Sequence, residues 1–564
     1  MFGSGLIKKL GVLATATSYW SQNILAPPTS SNPSTCIDGN PFPPLIEATL
    51  DDLVWGLETG LFTSVDLVNA YTARIKEVNP ALHAVNELNP DAADIAAELD
   101  AERASGALRG PLHGIPILIK DNIATDDKMN NTAGSYALLG SKVPRDSTAA
   151  AKLRKAGAVI LGKTNLSQWA NYRSENTSNG WSAYGGQTNG AYYPGQDPSG
   201  SSSGSGVASS LGLALGALGT ETGGSIISPS DHNNLVGIKP TVGLTSRYLV
   251  VPISEHQDTV GPMTRTVRDG AYLLSAIAGE DPRDNYTSAI PFDSTPNYVE
   301  ACKLDALKGK RIGVLRDANI SEPVVSAFNA ALDVLRDAGA AVIENITLPG
   351  IDAARQSNSS LVVLQADFNT ALAKYMAELT VNPHNIHSVS DLRDFTRKSP
   401  LEGYPSRNTE RWDGSIALGF GNDAPEFWPY YMENMLYGGP LGITGALRNF
   451  SLDALVVPAE FTSPLASLIG SPIITVPLGK YPEGTTVTQN KFGDLNTTGP
   501  NFPYGFSFLG DLFDEFNLIG LAYAFEQRTL VRNTVVPYTQ PTTELVDVVK
   551  SRKMKRNCNG ELVV

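Results

Sequence analysis

A short segment, GTETGGSIISP from Gly219 to Pro229, places two glycines directly before a serine. Glycine in regular structure costs roughly 0.5–1 kcal/mol relative to alanine, so adjacent glycines usually mark a surface turn. The functional alternative is a backbone bent so that several N–H groups converge beside the serine hydroxyl. Such donors stabilise the oxyanion that forms when a serine attacks a carbonyl carbon. The segment by itself does not decide between the two.

A lysine and a second serine-rich segment supply other groups that serine chemistry needs. Lys120 ends the apolar run PILIK, which predicts a buried strand, although a lone lysine is usually exposed. The segment PSGSSSGSGVASS (198–210) has the composition of a linker. Because the apolar LGLALGALG follows it at once, we expect it to lie inside the fold.

Together these residues could activate a serine without histidine. A hydroxyl nucleophile needs a base, and lysine can serve when its amine is neutral. The reference pKa of lysine is about 10.4, so neutrality at pH 7 costs roughly 4.6 kcal/mol, a shift that apolar burial can supply. A second serine between lysine and nucleophile could relay the proton. The Thr-Gly-Gly-Ser backbone could then face the oxyanion.

The surrounding sequence predicts an α/β fold that positions these segments. Thr49 and Asp52 form a capping-box pattern before the first helix, and a second helix starts at Ser64 and is expected to end at Pro80. From GIPILIKDNIA (114–124) onward, short β-branched runs alternate with helices, as in AAAKLRKAGAVILGKTN. This alternation indicates parallel strands with helices on the sheet faces.

Taken in order, the segments GPLHGIPILIKDNI, GSSSGSG, GTETGGSI and GIKPTVGLTSR resemble the motifs of the amidase signature hydrolases. The resemblance runs from about Leu50 to about Arg528, and the segment that starts with GIKPTVGLTSR is most similar to the peptide-amidase-like branch. It implies the amidase signature fold, a large mixed central β-sheet covered by helices on both faces. It also implies hydrolysis of a linear carboxylic amide to carboxylate and ammonia or amine, with no cofactor.

The resemblance also assigns roles to residues. Lys120 matches the base, Ser225 the nucleophile, and Ser201 the bridging serine, whose preceding peptide bond is cis in the family. The implied cycle passes through an acyl-serine intermediate. The resemblance further implies an oxyanion hole formed by backbone N–H groups, those of Thr222, Gly223, Gly224 and Ser225. It also implies that Ser202 supplies a supporting hydroxyl near the bridging serine.

Two positions depart from the family pattern. Glu221 stands where many members carry aspartate, and Ile227 stands where many carry arginine. The first change keeps the negative charge on a longer arm, and the second removes a cation near the site. Specificity for glutamine or a carboxylate is therefore not implied.

Other functions also fit parts of the sequence. Residues 200–204 satisfy GxSxG, which would make Ser202 the nucleophile of an α/β-hydrolase or esterase, but that turn needs a preceding strand and PGQDPSG is turn-forming. A binding protein could use the Gly/Ser segments as a ligand cradle, although no GxxxxGK[ST] occurs. The third alternative is a transamidase-type subunit of the same fold that delivers ammonia to a partner enzyme.

Composition restricts the partners. The formal net charge of −14 disfavours nucleic acid and anionic membrane surfaces, and no apolar run is long enough to predict a membrane span. The three cysteines, Cys36, Cys302 and Cys558, form no CxxC, and the six histidines show no metal-binding spacing. We therefore expect a small-molecule or peptide amide as substrate and no metal, while oligomeric state is not predicted.

The chain divides into three parts. Residues 1–42 are expected to be a leader, either a weak signal peptide or a disordered segment. Residues 43–545 are expected to form one amidase domain, with a variable region near 350–450 that shapes the substrate pocket, and residues 546–564 a tail. Nine Asn-x-Ser/Thr sequons make a glycoprotein possible, so both secreted and cytoplasmic locations stay open.

Overall fold

The computed structural model describes residues 36–37, 40–316, 322–461 and 463–558. Most of the predicted leader, including the signal-peptide interpretation, lies outside the described residues. The α-helices are α1 (Leu50–Glu58), α2 (Ser64–Leu82), α3 (Ala92–Ala104), α4 (Thr148–Lys155), α5 (Ser203–Ser210), α6 (Ile227–His232), α7 (Val267–Ile277), α8 (Val324–Asp337), α9 (Gly350–Gln356), α10 (Ser359–Glu378), α11 (Val389–Lys398), α12 (Glu410–Leu418), α13 (Phe427–Gly438), α14 (Ile443–Asn449), α15 (Ser463–Ile469), α16 (Glu515–Thr529) and α17 (Leu545–Cys558).

The strands are β1 (Cys36–Ile37), β2 (Asn40–Pro41), β3 (Val85–Leu88), β4 (Pro116–Lys120), β5 (Val159–Thr164), β6 (Trp181–Ser182), β7 (Gly186–Gln187), β8 (Gly216–Glu221), β9 (Val236–Lys239), β10 (Thr259–Thr264), β11 (Arg311–Leu315), β12 (Ala341–Ile346), β13 (Ala454–Pro458), β14 (Ile473–Lys480), β15 (Thr488–Gln489), β16 (Asn496–Thr498) and β17 (Pro503–Leu509). Short 3₁₀ helices lie at Gln168–Asn171, Asn285–Ala289, Tyr298–Ala301, Pro400–Glu402, Ala459–Phe461 and Val531–Thr534.

Among the described strands, 11 form one mixed sheet in the order β12-β11-β13-β17-β14-β9-β10-β8-β4-β5-β3. Strand β4 pairs in parallel with β5 and β8, and β11 pairs in parallel with β12 and β13. The strands between these two groups, from β17 to β10, pair antiparallel. The alternation of strands and helices thus predicted the parallel groups, and the family resemblance predicted the mixed sheet, which is confirmed.

Both faces of the sheet are covered by helices. Ala454 and Val456 of β13 belong to an apolar cluster with α7, α8 and α16, whereas their neighbours Leu455 and Val457 belong to a different cluster with α14 and α15. Because successive side chains of a strand point to opposite faces, the two clusters lie on opposite sides of the sheet. The predicted arrangement of helices on both faces is therefore confirmed.

Helices α1 and α2 begin where the sequence predicts, but α2 ends later than predicted. Thr49 accepts from the Asp52 N–H while the Asp52 carboxylate accepts from the Thr49 N–H, the predicted capping box of α1. Helix α2 continues two residues past Pro80 to Leu82 and ends where His83 turns left-handed at φ 47°. The expectation that Pro80 ends the helix was wrong. The proline lacks only its own N–H bond, and the helix ends at the left-handed residue instead.

Helices in the predicted variable region pack on loops instead of the sheet. Phe368 and Leu372 of α10 and Trp412 of α12 form an apolar cluster with Trp169 and Val251, which lie in connections between strands. A cavity of about 330 Å³ lies between α10 and residues 247–258. This helical layer, α10 to α12, thus covers loops that adjoin the ends of the strands.

The C-terminal helix α17 begins at the predicted domain boundary. Leu545, Val546 and Val549 are buried in the apolar cluster that contains α1, α2 and β4. The domain boundaries themselves remain a prediction. Across the described part of the chain, no helix has both the length and the apolar character needed to cross a bilayer.

Candidate active site

Strand pairing brings Lys120 next to Thr220. Strands β4 and β8 are parallel neighbours, with Leu118 opposite Ala217 and Ile119 opposite Leu218. Their carboxyl ends therefore meet at the same edge of the sheet, the usual place for ligand sites in α/β folds. Lys120, the last residue of β4, and Thr220, near the end of β8, emerge there side by side.

The Lys120 amine has three oxygen neighbours and no exposure to solvent. Its Nζ donates to Ser201 Oγ at 2.8 Å, to Thr220 Oγ1 at 2.9 Å and to the Thr220 carbonyl oxygen at 3.1 Å. Thr220 Oγ1 also accepts from Asn122 Nδ2 at 2.9 Å. The amine is thus held between strand β8 and the serine-rich segment.

Burial lowers the pKa of Lys120 to about 7, while the nearby carboxylates of Asp258 and Glu221 act in the opposite direction. The charged form is disfavoured because the amine has left water for an environment without a directly paired carboxylate. A lysine with a pKa near 7 can hold a neutral amine at physiological pH and can act as a base.

Ser201 and Ser225 lie on adjacent segments. The Gly200–Ser201 peptide bond is cis, as the resemblance implied, and Ser201 is fully buried. The Ser202 N–H donates to the Ser225 carbonyl oxygen at 3.2 Å, which joins the two segments through their backbones. Both side chains are described, and the structure shows no direct hydrogen bond between the hydroxyls of Ser201 and Ser225.

The loop of residues 222–225 leaves a row of backbone donors free. Glu221 Oε2 accepts from the N–H groups of Ile226 and Ile227 at 2.7 and 3.0 Å, at the start of α6. Among the described residues, no hydrogen-bond acceptor pairs with the four preceding N–H groups, those of Thr222, Gly223, Gly224 and Ser225. Gly224 adopts φ +95°, a left-handed conformation that glycine tolerates best.

The Ser202 hydroxyl hydrogen-bonds the backbone of Thr220, and Ser202 does not lie on a strand-to-helix turn of the kind that exposes a nucleophile. Its Oγ donates to the Thr220 carbonyl oxygen at 3.1 Å and accepts from the Thr220 N–H at 3.3 Å, and the side chain is fully buried. Residues 188–202, all described, contain no strand before α5. The strand-to-helix turn that an α/β-hydrolase requires is therefore not supported. Ser202 lies beside Thr220, and its supporting role remains a prediction.

Sequence reasoning missed three residues of this site. Thr220 accepts from the lysine amine, Asn122 donates to the Thr220 hydroxyl, and Asp258 accepts from Thr222 Oγ1 at 2.5 Å. Thr220 lies in the GTETGGSI motif and Asn122 in the GPLHGIPILIKDNI motif. A polar residue close to a buried lysine in these motifs could have indicated a hydrogen-bond partner. Asp258 offered no such signal, because only the fold brings it to the 222–225 loop.

Two other buried lysines help to define what is special about Lys120. Burial also lowers the pKa of Lys163 and of Lys239 to about 8. Their amines, however, donate to no hydroxyl of a described residue: Lys163 donates to the Ile123 carbonyl and the Asn131 amide oxygen, and Lys239 to the carbonyls of Pro240 and Ser471. Among the described residues, no group of three or more His, Cys, Asp or Glu side chains is arranged to hold a metal ion.

Comparison with known proteins agrees with this geometry. The sequence profile of the Amidase family matches residues 66–519. A relative from Arthroderma benhamiae named as an amidase is 54% identical over 532 residues, which cover 90% of each chain. The chain therefore belongs to the amidase signature family and is an amidase-family enzyme.

Structural similarity extends to a peptide amidase. The crystal structure of native peptide amidase from Stenotrophomonas maltophilia matches with a TM-score of 0.79 and 38% identity, covering 89% of this chain and all of that chain. The chain is also 32% identical to one subunit of the glutamyl-tRNA(Gln) amidotransferase of Geobacter metallireducens, over 86% of this chain and 98% of the other. Membership supports hydrolysis of amides as the reaction.

Proposed function

We propose that this protein hydrolyses linear carboxylic amides through an acyl-serine intermediate, with Ser225 as nucleophile, Ser201 as relay and Lys120 as base. The observation that carries the proposal is the 2.8 Å contact between Lys120 Nζ and Ser201 Oγ, in a fully buried site. A serine nucleophile needs a base, and this contact supplies one without histidine.

The three contacts of the Lys120 amine suit a neutral amine as well as a protonated one, with the hydrogen bond to Ser201 reversed in the neutral form. A neutral Lys120 has two N–H groups, which suit the carbonyl oxygen and Oγ1 of Thr220, and one lone pair, which can accept from the Ser201 hydroxyl. The Ser201 oxygen is then free to accept the proton of Ser225. The three groups form a directed path for one proton.

The proposed cycle balances without a cofactor. Ser225 Oγ attacks the amide carbon while its proton passes to Ser201 and the Ser201 proton passes to Lys120. The oxyanion is held by the free N–H groups of residues 222–225. The C–N bond then breaks, the leaving nitrogen takes the proton back through Ser201, and ammonia or an amine departs. Water repeats the sequence on the acyl-serine and releases the carboxylate.

The proposed substrate class is supported by one structural comparison. Similarity to a peptide amidase favours the C-terminal amide of a peptide. A panel of aliphatic amides, aryl amides and peptide C-terminal amides, scored for ammonia release, tests this. We expect peptide amides to have the highest kcat/KM.

Three substitutions test the proposed roles. Ser225→Ala and Lys120→Ala are expected to abolish ammonia release, and Ser225→Ala to abolish labelling by a fluorophosphonate. Ser201→Ala interrupts the relay and should lower kcat strongly. Full turnover by Ser225→Ala would refute the proposal. The transamidase alternative makes a different prediction, because such a protein should need its partner enzyme. Turnover by the purified chain alone contradicts that alternative.

A further inference from the structure

The side chain of Thr222 has a specific partner that the proposed cycle does not use. Thr222 is the first residue of the 222–225 loop, and its Oγ1 donates to Asp258 Oδ1 at 2.5 Å. The proposed cycle requires only the backbone of this residue. A hydroxyl bonded to a carboxylate forms one of the stronger hydrogen bonds in proteins, so the contact fixes the start of the loop.

Asp258 is buried and directed at this loop. Its other oxygen, Oδ2, accepts from the N–H groups of Ile253 and Ser254 at 2.8 and 3.0 Å. The side chain is 9% exposed and forms no ion pair with any described residue. Burying a carboxylate without a direct ion pair is costly, and burial raises the pKa of Asp258 to about 6, while its hydrogen bonds and the Arg247 charge act in the opposite direction. Its three hydrogen bonds account for its retention here.

The segment that carries Asp258 is held from its other side. Asp367 of α10, fully buried, accepts from His256 Nδ1 at 2.9 Å, from Asn422 Nδ2 at 2.8 Å and from the Ser254 hydroxyl. The His256 ring packs within 4.5 Å of the Tyr431 ring centroid. Residues 253–258 are thus anchored to the helical layer, and Asp258 is a fixed point against which Thr222 is held.

We propose that Asp258 is a positioning residue of the oxyanion hole, which acts through the Thr222 hydroxyl to hold the N–H groups of residues 222–225 in place. The inference rests on the proposed function. An oxyanion donor acts only within about 2.7–3.1 Å of the developing charge, and loss of one donor costs roughly 10²- to 10³-fold in kcat. Loosening a loop that carries several donors should therefore lower kcat more than it changes KM.

Paired variants of Thr222 test the inference on the amide turned over fastest in the panel. Thr222→Val keeps the shape and removes the hydroxyl, and we expect kcat to fall about tenfold or more with KM changed less than threefold. Thr222→Ser retains the hydroxyl and should keep kcat within about threefold of the parent. Asp258→Ala removes the acceptor of the Thr222 hydroxyl and should lower kcat at least as far as Thr222→Val, and the double variant should be no slower than the slower single variant. These rates are compared at pH 9, where the Lys120 amine is neutral in the parent and in the variants.

Thr49→Val is the matched control. It removes a hydroxyl that donates to Asp52 at 2.7 Å in the cap of α1, a bond of the same kind outside the site. It should change the free energy of unfolding without changing kcat. Parent-level kcat in Thr222→Val, or an effect confined to KM, would overturn the inference, as would additive losses in the double variant. If Ser225→Ala still turns over the amide, the proposed function itself fails, which is a separate outcome.

Discussion

Lys120 differs from other buried lysines by its neighbours more than by its burial. Lys163 and Lys239 are equally buried, but their amines donate to backbone carbonyls and, for Lys163, also to the Asn131 amide oxygen, and none of these oxygens can donate a proton. Lys120 faces two hydroxyls as well as a carbonyl. A hydroxyl can both donate and accept, so Lys120 alone of these three amines can exchange a proton with a side chain.

The pKa of Lys120 sets the expected pH dependence of activity. The amine must be neutral to accept a proton, and its pKa of about 7 means that the neutral fraction rises as pH increases through 7. We expect kcat/KM for a neutral amide to rise tenfold per pH unit below about pH 7 and to level off above it. Steady-state rates from pH 5 to pH 9 measure this. A flat profile would contradict a lysine base.

The same burial should weaken the fold at neutral pH. The unfolded chain protonates Lys120 below about pH 10.5, whereas the folded chain does so only below about 7, so lowering pH between these values favours unfolding. Lys120→Met removes this effect. Relative to the parent, its free energy of unfolding should increase by roughly 3 kcal/mol between pH 10 and pH 7. Lys155→Met, exposed on α4, is the control and should show no such change in denaturant titrations.

At the scale of elements, the sequence predicted the parts of the site better than their contacts. The apolar run before Lys120 predicted a buried strand, and the glycines predicted the loop before α6. The pairing of β4 with β8, which sets Lys120 beside Thr220, depends on strands about a hundred residues apart in the chain. Local patterns do not encode such pairing, so only the motif resemblance predicted that Lys120 and Ser225 belong to one site.

Asp258 shows the same limit. The segment that contains it forms neither helix nor strand, and its carboxylate meets Thr222 only because β10 pairs antiparallel with β8 directly after it. The failure at Pro80 has a different cause. Proline disfavours continuation of a helix but does not always end it. The end of α2 is set by the left-handed residue that follows, His83.

The loop conformation at Gly224 gives an expectation at this scale. Its φ of +95° disfavours a side chain, so Gly224→Ala should strain the loop and cost about 1–2 kcal/mol. Because the proposed oxyanion donors lie on this loop, kcat should fall as well. Gly60→Ala is the matched control, since Gly60 has φ +67° with open space around it. It should lose similar stability in thermal unfolding with unchanged kcat, and equal kcat losses in both variants would contradict the loop's role.

At the scale of the whole molecule, the C-terminal helix is part of the core that supports the site. Leu545, Val546 and Val549 are buried against the helices that pack on β4. A chain that ends at Glu544 should be less stable than one that ends at Arg552 by more than about 3 kcal/mol, because three apolar side chains lose their burial. Urea unfolding of the two truncated chains measures the difference. Equal urea midpoints for the two truncated chains would show that the domain ends at residue 545.

The packing of helices α10 to α12 on loops, and not on the strands, has a consequence for evolution. Phe368, Leu372 and Trp412 pack on connecting loops, so substitutions in α10 to α12 can change the packing over these loops while strand register stays intact. Such substitutions can therefore accumulate in evolution without disturbing the strands that carry Lys120 and Thr220.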